Sequence, residues 1–190
     1  MDKIRCSWCG DDPLYVEYHD TEWGVPLRDE QKLFEFLILE TFQAGLSWIT
    51  VLRKRENFRQ AFDNFDYKKV ALYDESKIEE LLQNAGIIRN KLKIKATVSN
   101  AVAFMVIQKE FGSFSKYIWD FVDNTPIQNR NKSLADFNAT TELSDAISKD
   151  LKKRGFKFVG STVIYAHMQA TGMVNDHIVD CFRYKEVQEN

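Results

Sequence analysis

The sequence predicts an all-α protein, and three observations carry that expectation. Apolar residues recur at helical spacing in six stretches, the period-two alternation of half-buried strands is nearly absent, and Pro13, Pro26 and Pro126 fall outside those stretches. The first stretch runs from Asp29 to about Ala44, with Leu33, Phe36, Leu37 and Leu39 at its apolar positions. Glu40 follows Leu37, Phe36 and Leu33 by three, four and seven residues, which puts a carboxylate on an apolar face. Asp74 to Gln83 comes next, with Asp74 as N-cap. Lys91 to Glu110, Phe114 to Val122, Thr141 to Lys153 and Val159 to Ala170 follow, the last ending before Gly172. The polar stretch Asn124 to Asn138 reads as a long loop, able to separate two lobes of one domain.

With 190 residues, 44% of them hydrophobic, the chain is expected to form one domain over 1–190 with a sizeable core; a disordered chain, a collagen-like repeat and a tandem array are excluded. No apolar run approaches the ~20 residues that a spanning helix needs, and the opening MDKIRCSWCGDD has no apolar region behind its charges. A cytoplasmic monomer with no membrane partner is the expectation. Lys+Arg 26 against Asp+Glu 28 gives a net charge of −2, which excludes a protein that coats nucleic acid by charge alone. Local clusters at Arg53-Lys54-Arg55, Arg89 to Lys95 and Lys152 to Lys157 can each touch phosphate or serve as a solvated helix face.

The two ends carry metal-type residues. His177-x3-Cys181 spaces two soft ligands by one helical turn, and Cys6 with His19 completes a Cys2His2 set of the kind that suits structural zinc. Buried cysteines and hydrogen-bonded core histidines are the alternative, and Cys6-x2-Cys9 competes as a ligand pair or, without its usual βαβ setting, a redox pair. Aromatics crowd the same head: Trp8, Tyr15, Tyr18 and Trp23, with Trp48 eight positions beyond Glu40. These rings either belong to the core or wall a pocket in which flat faces stack on a heterocycle and a carboxylate accepts from its amine. An inward-pointing Glu40 favours the pocket, because a core helix buries an ionisable group only for a partner or a function. Between two helical stretches, Gly155 and Gly160 frame a short turn after which the N–H groups of Ser161 and Thr162 open the next helix. That turn is either an ordinary helix–helix connection or a phosphate seat.

Taken together, several segments resemble one known family. They are Asp12-Pro13-Leu14-Tyr15, Tyr18-His19-Asp20, Glu22-Trp23-Gly24-Val25-Pro26, Gln43-Ala44-Gly45-Leu46-Ser47-Trp48-Ile49-Thr50-Val51-Leu52, Ala85-Gly86-Ile87-Ile88-Arg89, Leu151 to Gly160, and Val174-Asn175-Asp176-His177. In this order, from about Cys6 to Cys181, they are similar to the bacterial 3-methyladenine DNA glycosylase I family. The resemblance implies a helix-hairpin-helix fold and hydrolytic release of N3-methyladenine as the free base from alkylated double-stranded DNA, with a structural zinc joining the termini through Cys6, His19, His177 and Cys181. It places the catalytic, base-reading carboxylate on Glu40 and the base-binding rings on Tyr18, Trp23 and Trp48, with Trp8 and Tyr15 near them. DNA contacts fall on Gly155, Lys157, Gly160, Ser161 and Thr162, with Arg89 or Lys152 as further phosphate partners, and Leu46 is the candidate plug for the gap left by a flipped base.

Cys9 is then incidental, and His167, where the family carries an aromatic, is a core substitution. Thr41-Phe42 lie where the family varies and bear on the pocket's back wall. The superfamily's lyase lysine falls near Thr162, so strand nicking is not expected, and its catalytic aspartate falls near Asp180. The rival readings are a glycosylase for another alkylated purine, a non-catalytic helix-hairpin-helix DNA-binding zinc protein, and a zinc adaptor without affinity for methyladenine.

Overall fold

Pro13 opens a helix instead of separating two elements. In α1 (Pro13–Thr21) it occupies the first helical turn, where a missing N–H has no partner to lose, and the Asp12 carboxylate caps the N–H groups of Leu14 and Tyr15. The computed structural model describes residues 3–43 and 45–189. Met1, Asp2 and Asn190, at the ends of the expected domain, and Ala44, the expected end of the first long helix, lie outside the described residues.

The chain is mostly helical, and α2 (Glu30–Gln43) is its central member, with every residue from Leu33 to Phe42 buried. Around it pack α3 (Trp48–Ala61), α6 (Lys91–Phe111), α7 (Phe114–Asp120) and α9 (Ser161–Ala170). A helix enclosed on all sides buries its polar residues along with its apolar ones. Glu35 meets the Arg59 guanidinium at 2.8 Å; Glu40 meets no cation among the described residues. Helix α3 carries Arg-Lys-Arg-Glu-Asn through its middle, which hides its period, yet Trp48, Val51, Leu52 and Phe58 all face inward. After it come the single turn α4 (Tyr67–Val70) and α5 (Glu75–Gln83), the latter capped by Asp74 through the Lys77 N–H. The Glu30 carboxylate accepts from the Phe114 and Ser115 N–H groups and so fixes the start of α7 against α2. That helix stops at Asp120 and not at Val122, because the chain turns through Asp123 and Asn124 with left-handed φ of 49° and 59°.

The stretch expected as loop, Asn124 to Asn138, contains β1 (Ile127–Gln128), which pairs in parallel with β2 (Val174–Asn175) in the register Ile127 to Val174 and Gln128 to Asn175. Two residues are too few to leave a period. Beyond it a 3-10 turn over Leu134–Asp136 leads to α8 (Glu142–Lys153), whose Thr141 and Ser144 cap each other. Gly155, at φ +95°, ends α8 in a Schellman pattern, with Phe156 N–H on the Leu151 carbonyl and Gly155 N–H on that of Lys152. The turn is then clamped by buried Asn100, which accepts from Lys157 N–H at 2.8 Å and donates to the Lys157 carbonyl at 3.1 Å. Helix α9 starts at Ser161, two residues later than its apolar pattern, since Val159 is a core residue of the turn. Gly172 follows it at φ +70°, and a Cβ there would stand 2.4 Å from the Val25 backbone, so this crossing admits only glycine. The short α10 (Phe182–Glu186) brings the chain's end back to its beginning, with Phe182 N–H bonded to the Ile4 carbonyl at 3.0 Å.

Candidate functional site

Helices α1, α2, α3 and α9 enclose a cavity of about 350 Å³. Helix α1 and the turn before it supply Trp8, Tyr15 and Tyr18, the segment after α1 supplies Trp23, and α2 supplies Glu40 and Gln43. Trp48 comes from the first turn of α3, Ala166 and Gln169 from α9, and Leu134 and Phe137 from the 3-10 turn and its exit. The rings interlock: Trp8 lies 4.9 Å from Trp23 and 5.0 Å from Tyr15, Tyr18 lies 5.6 Å from Trp48, and Trp23 stacks on Phe137 at 6.4 Å with 12° between planes. Every base-binding candidate of the sequence therefore lines this one cavity. Thr41 and Phe42 are not on it: Thr41 Oγ1 turns back to the Ile38 carbonyl, and Phe42 packs on Phe58 at 4.8 Å.

The polar chemistry of this cavity is unfinished. Glu40 is 3% exposed and its Oε2 has no hydrogen-bond partner among the described residues; the indole N–H groups of Trp8 and Trp48 are likewise buried and without a partner there. Each such group forfeits roughly 1–3 kcal/mol unless something supplies its partner. Burial alone pushes the Glu40 carboxyl up to about 8, and burial, with Glu40 and Glu22 nearby, holds the Tyr18 phenol well above its ordinary range. One acceptor and two donors on residues that line an aromatic slot suit a flat heterocycle that offers both hydrogen-bond roles.

Cys6, His19, His177 and Cys181 converge on a single buried point, with their ligand atoms within 4.8 Å of one another. The Cys181 Sγ is 3.5 Å from His19 Nε2 and 3.6 Å from His177 Nδ1, and Cys6 Sγ is 3.6 Å from the same Nδ1. Each imidazole is held from behind: His19 Nδ1 by Asp20 at 2.8 Å, and His177 Nε2 by the Trp23 carbonyl at 3.0 Å. The two thiols split their acidities. Contact with Cys181, then burial, raises Cys6, whereas contact with Cys6 and with both imidazoles lowers Cys181. Such a group could hold a metal ion. Cys9 is outside it, its thiol on the Cys6 carbonyl, and His167 is a core residue whose ring nitrogen is 3.4 Å from the Leu33 carbonyl.

The turn from Gly155 to Gly160 stands at the N-terminus of α9, the helix that lines the cavity five and eight residues further on with Ala166 and Gln169. No side chain caps that terminus at Gly160, and Thr162 and Lys157 are exposed, while Ser161 Oγ is 2.8 Å from Ser144 Oγ. Leu46 is 41% exposed on the connection between α2 and α3. Of the basic clusters, Arg53, Arg55, Lys91, Lys95 and Arg154 are engaged by Asp12, Glu22, Glu79, Glu75 and Glu110. Asp180 is exposed. The carboxylate that sequence reasoning passed over is Asp176, fully buried and accepting from Asn129, Asn131, Tyr165 and Gln169. Leu134 and Phe137 were passed over too, and their only signal is that they are apolar residues in a polar stretch.

A family model described as methyladenine glycosylase matches residues 8–184. DNA-3-methyladenine glycosylase 1 of Escherichia coli (strain K12) is 52% identical over 180 residues, 95% of this chain and 96% of that protein. A crystal structure of 3-methyladenine DNA glycosylase I superposes with a TM-score of 0.92 at 53% identity, covering 94% of this chain and 98% of that one. A Staphylococcus aureus 3-methyladenine DNA glycosylase I, solved to explain 3-methyladenine recognition, superposes at 0.91 with 36% identity, covering 94% and 95%.

Proposed function

The chain belongs to the methyladenine glycosylase family, and from that premise we propose that it removes N3-methyladenine from alkylated duplex DNA by hydrolysing the N-glycosidic bond. The observation that carries this reading is the unpartnered Glu40 carboxyl in a cavity of indole and phenol rings. Methylation at N3 makes the adenine cationic, so the C1′–N9 bond can break with its electron pair moving onto the ring and a neutral base leaving. Water then adds to C1′ and gives its proton to solvent, leaving an abasic site. The base must first be swung out of the duplex, at a cost of a few kcal/mol that is lower for a weakly paired lesion. In the slot the rings of Tyr18 and Trp48 contact the base and Glu40 accepts from its edge, with Trp8, Tyr15 and Trp23 completing the lining. Attraction between cation and rings contributes on the order of 1–2 kcal/mol.

On the DNA side, Leu46 fills the vacated gap, and Lys157 with the hairpin from Gly155 through Gly160, Ser161 and Thr162 holds the backbone phosphates. This is the helix-hairpin-helix role of α8 and α9. Cys6, His19, His177 and Cys181 would hold a structural zinc, since two thiols and two imidazoles with S···N separations of 3.5 and 3.6 Å form a donor set that suits that ion. With four protein ligands the ion supplies structure and no vacant position for water. The whole 1–190 chain acts as one catalytic unit, as a monomer in the cytoplasm. The test is release of free base from DNA treated with a methylating agent: 3-methyladenine should appear, and Glu40→Ala should bind the free base far more weakly while staying folded. A protein that bound the DNA yet released no base would refute the enzymatic reading.

A further inference from the structure

We infer that Gln169, held by Asp176, is the second acceptor that reads the base, and that it restricts the pocket to 6-amino purines. This rests on the function proposed above. Gln169 lines the same cavity as Glu40 and the rings, and its amide nitrogen donates to Asp176 Oδ2 at 2.7 Å. A carboxylate only accepts, so that contact fixes which end of the amide faces where: Nε2 toward Asp176 and Oε1 away from it. Asp176 is itself held by several partners. It is fully buried, with Asn129 Nδ2 at 2.6 Å and Asn131 Nδ2 at 3.0 Å on one oxygen and the Tyr165 hydroxyl at 2.7 Å on the other. The backbone of Gln169 is fixed as well, its carbonyl accepting from Gly24 N–H at 3.1 Å.

Selectivity follows from what the two acceptors can and cannot become. An exocyclic amine has two protons and can satisfy both Glu40 and Gln169. A 6-oxo group presents an acceptor to each. Glu40 can adapt, since burial keeps its proton available and a neutral carboxyl donates. Gln169 adapts less readily: swapping its amide ends to put Nε2 where Oε1 stands would press Oε1 against Asp176 Oδ2, so in the proposed pose the base meets the oxygen. An oxo purine therefore leaves two acceptors opposed in a buried slot, the kind of mismatch that separates substrates by orders of magnitude. Gln169 is thus a base-binding residue, and Asp176, acting through it, a positioning residue.

The experiment compares release of 3-methyladenine and 3-methylguanine from the same methylated DNA, along with equilibrium binding of the two free bases followed by tryptophan fluorescence. Wild type should favour the amino base by at least about a hundredfold in release. Gln169→Met keeps the volume but removes the acceptor and should lower that ratio about tenfold or more. Asp176→Asn offers the amide either orientation and should lower the ratio too; Gln169→Met, at a half-buried position, covers the case in which Asp176→Asn fails to fold. An unchanged ratio in folded Gln169→Met overturns the inference, as does wild type that releases both bases equally well. Wild type that releases neither overturns the proposed function itself, which separates the two failures.

Discussion

His177 and Trp23 join the metal-type cluster to the aromatic slot. The His177 ring donates through Nε2 to the Trp23 carbonyl at 3.0 Å, and the two rings meet edge to face at 4.6 Å and 86°. One residue is a cluster member and the other a cavity wall that also supports Trp8 and Phe137. The cluster therefore braces the slot from behind without entering it.

That relationship sets the expected outcome of breaking the cluster. Cys181→Ser should abolish stoichiometric zinc, measured by elemental analysis of the purified protein, and lower the thermal midpoint by roughly 10 °C or more, since a structural zinc contributes several kcal/mol. Turnover per folded molecule should fall much less than stability does. Retention of one tightly held zinc by this variant would remove Cys181 from the ligand set.

On the proposed function, Glu40 should give the activity a pH dependence. Its carboxyl, pushed up to about 8 by burial, keeps its proton at neutral pH in the empty slot, while a cationic base is best matched by the carboxylate. The kcat/KM for methylated DNA should rise about tenfold per pH unit below 8 and level off above it, since this ratio reports the free enzyme's ionisation. In Glu40→Gln the rising limb should be gone along with most of the rate. A wild-type profile flat from pH 6 to 9 would contradict the assignment.

The same shift has an opposite effect on stability. Between the ordinary carboxyl value of 4.5 and about 8, the unfolded chain releases a proton that the folded chain keeps. Unfolding is thus favoured as pH rises through that window, by up to about 1.4 kcal/mol per unit, and the trend ends above 8 where both states are ionised. Urea titrations of wild type and Glu40→Gln at pH 5 and pH 8 should show the variant gaining on wild type by a few kcal/mol at the higher pH. An equal difference at both would mean that the carboxyl is solvated.

What the sequence made legible follows from which residues answer to local pattern. Helix α2 and the inward direction of Glu40 were plain because Leu33, Phe36 and Leu37 keep helical spacing with it. The separation of the four Cys and His residues along the chain did not conceal them, because few other soft ligands compete in this sequence. Helix α1 was hidden because Pro13 reads as a break until Asp12 is seen to cap it, and α3 because its charges obscure its inward face. The roles inferred for Asp176 and Gln169 rest on tertiary contacts: Asn129, Asn131 and Tyr165 come from two distant segments, and no spacing announces their meeting at one carboxylate.

Leu46, in the plug role proposed for it, would separate the handling of duplex from the handling of the base. It is exposed on the connection between α2 and α3 and does not line the cavity, whereas Gln43, three residues earlier, does. A side chain so placed can enter the stack beside the slot and take the place of the departed base between its neighbours. An inserted apolar wedge of that kind offsets part of an unstacking cost of a few kcal/mol. Leu46→Ala should reduce kcat/KM on methylated duplex roughly tenfold or more, while the affinity for free 3-methyladenine, followed by tryptophan quenching, stays unchanged. Single-stranded methylated DNA, which has little stack to reopen, should suffer a smaller loss. Equal losses on duplex, single strand and free base would place Leu46 in the pocket's structure and not at the DNA.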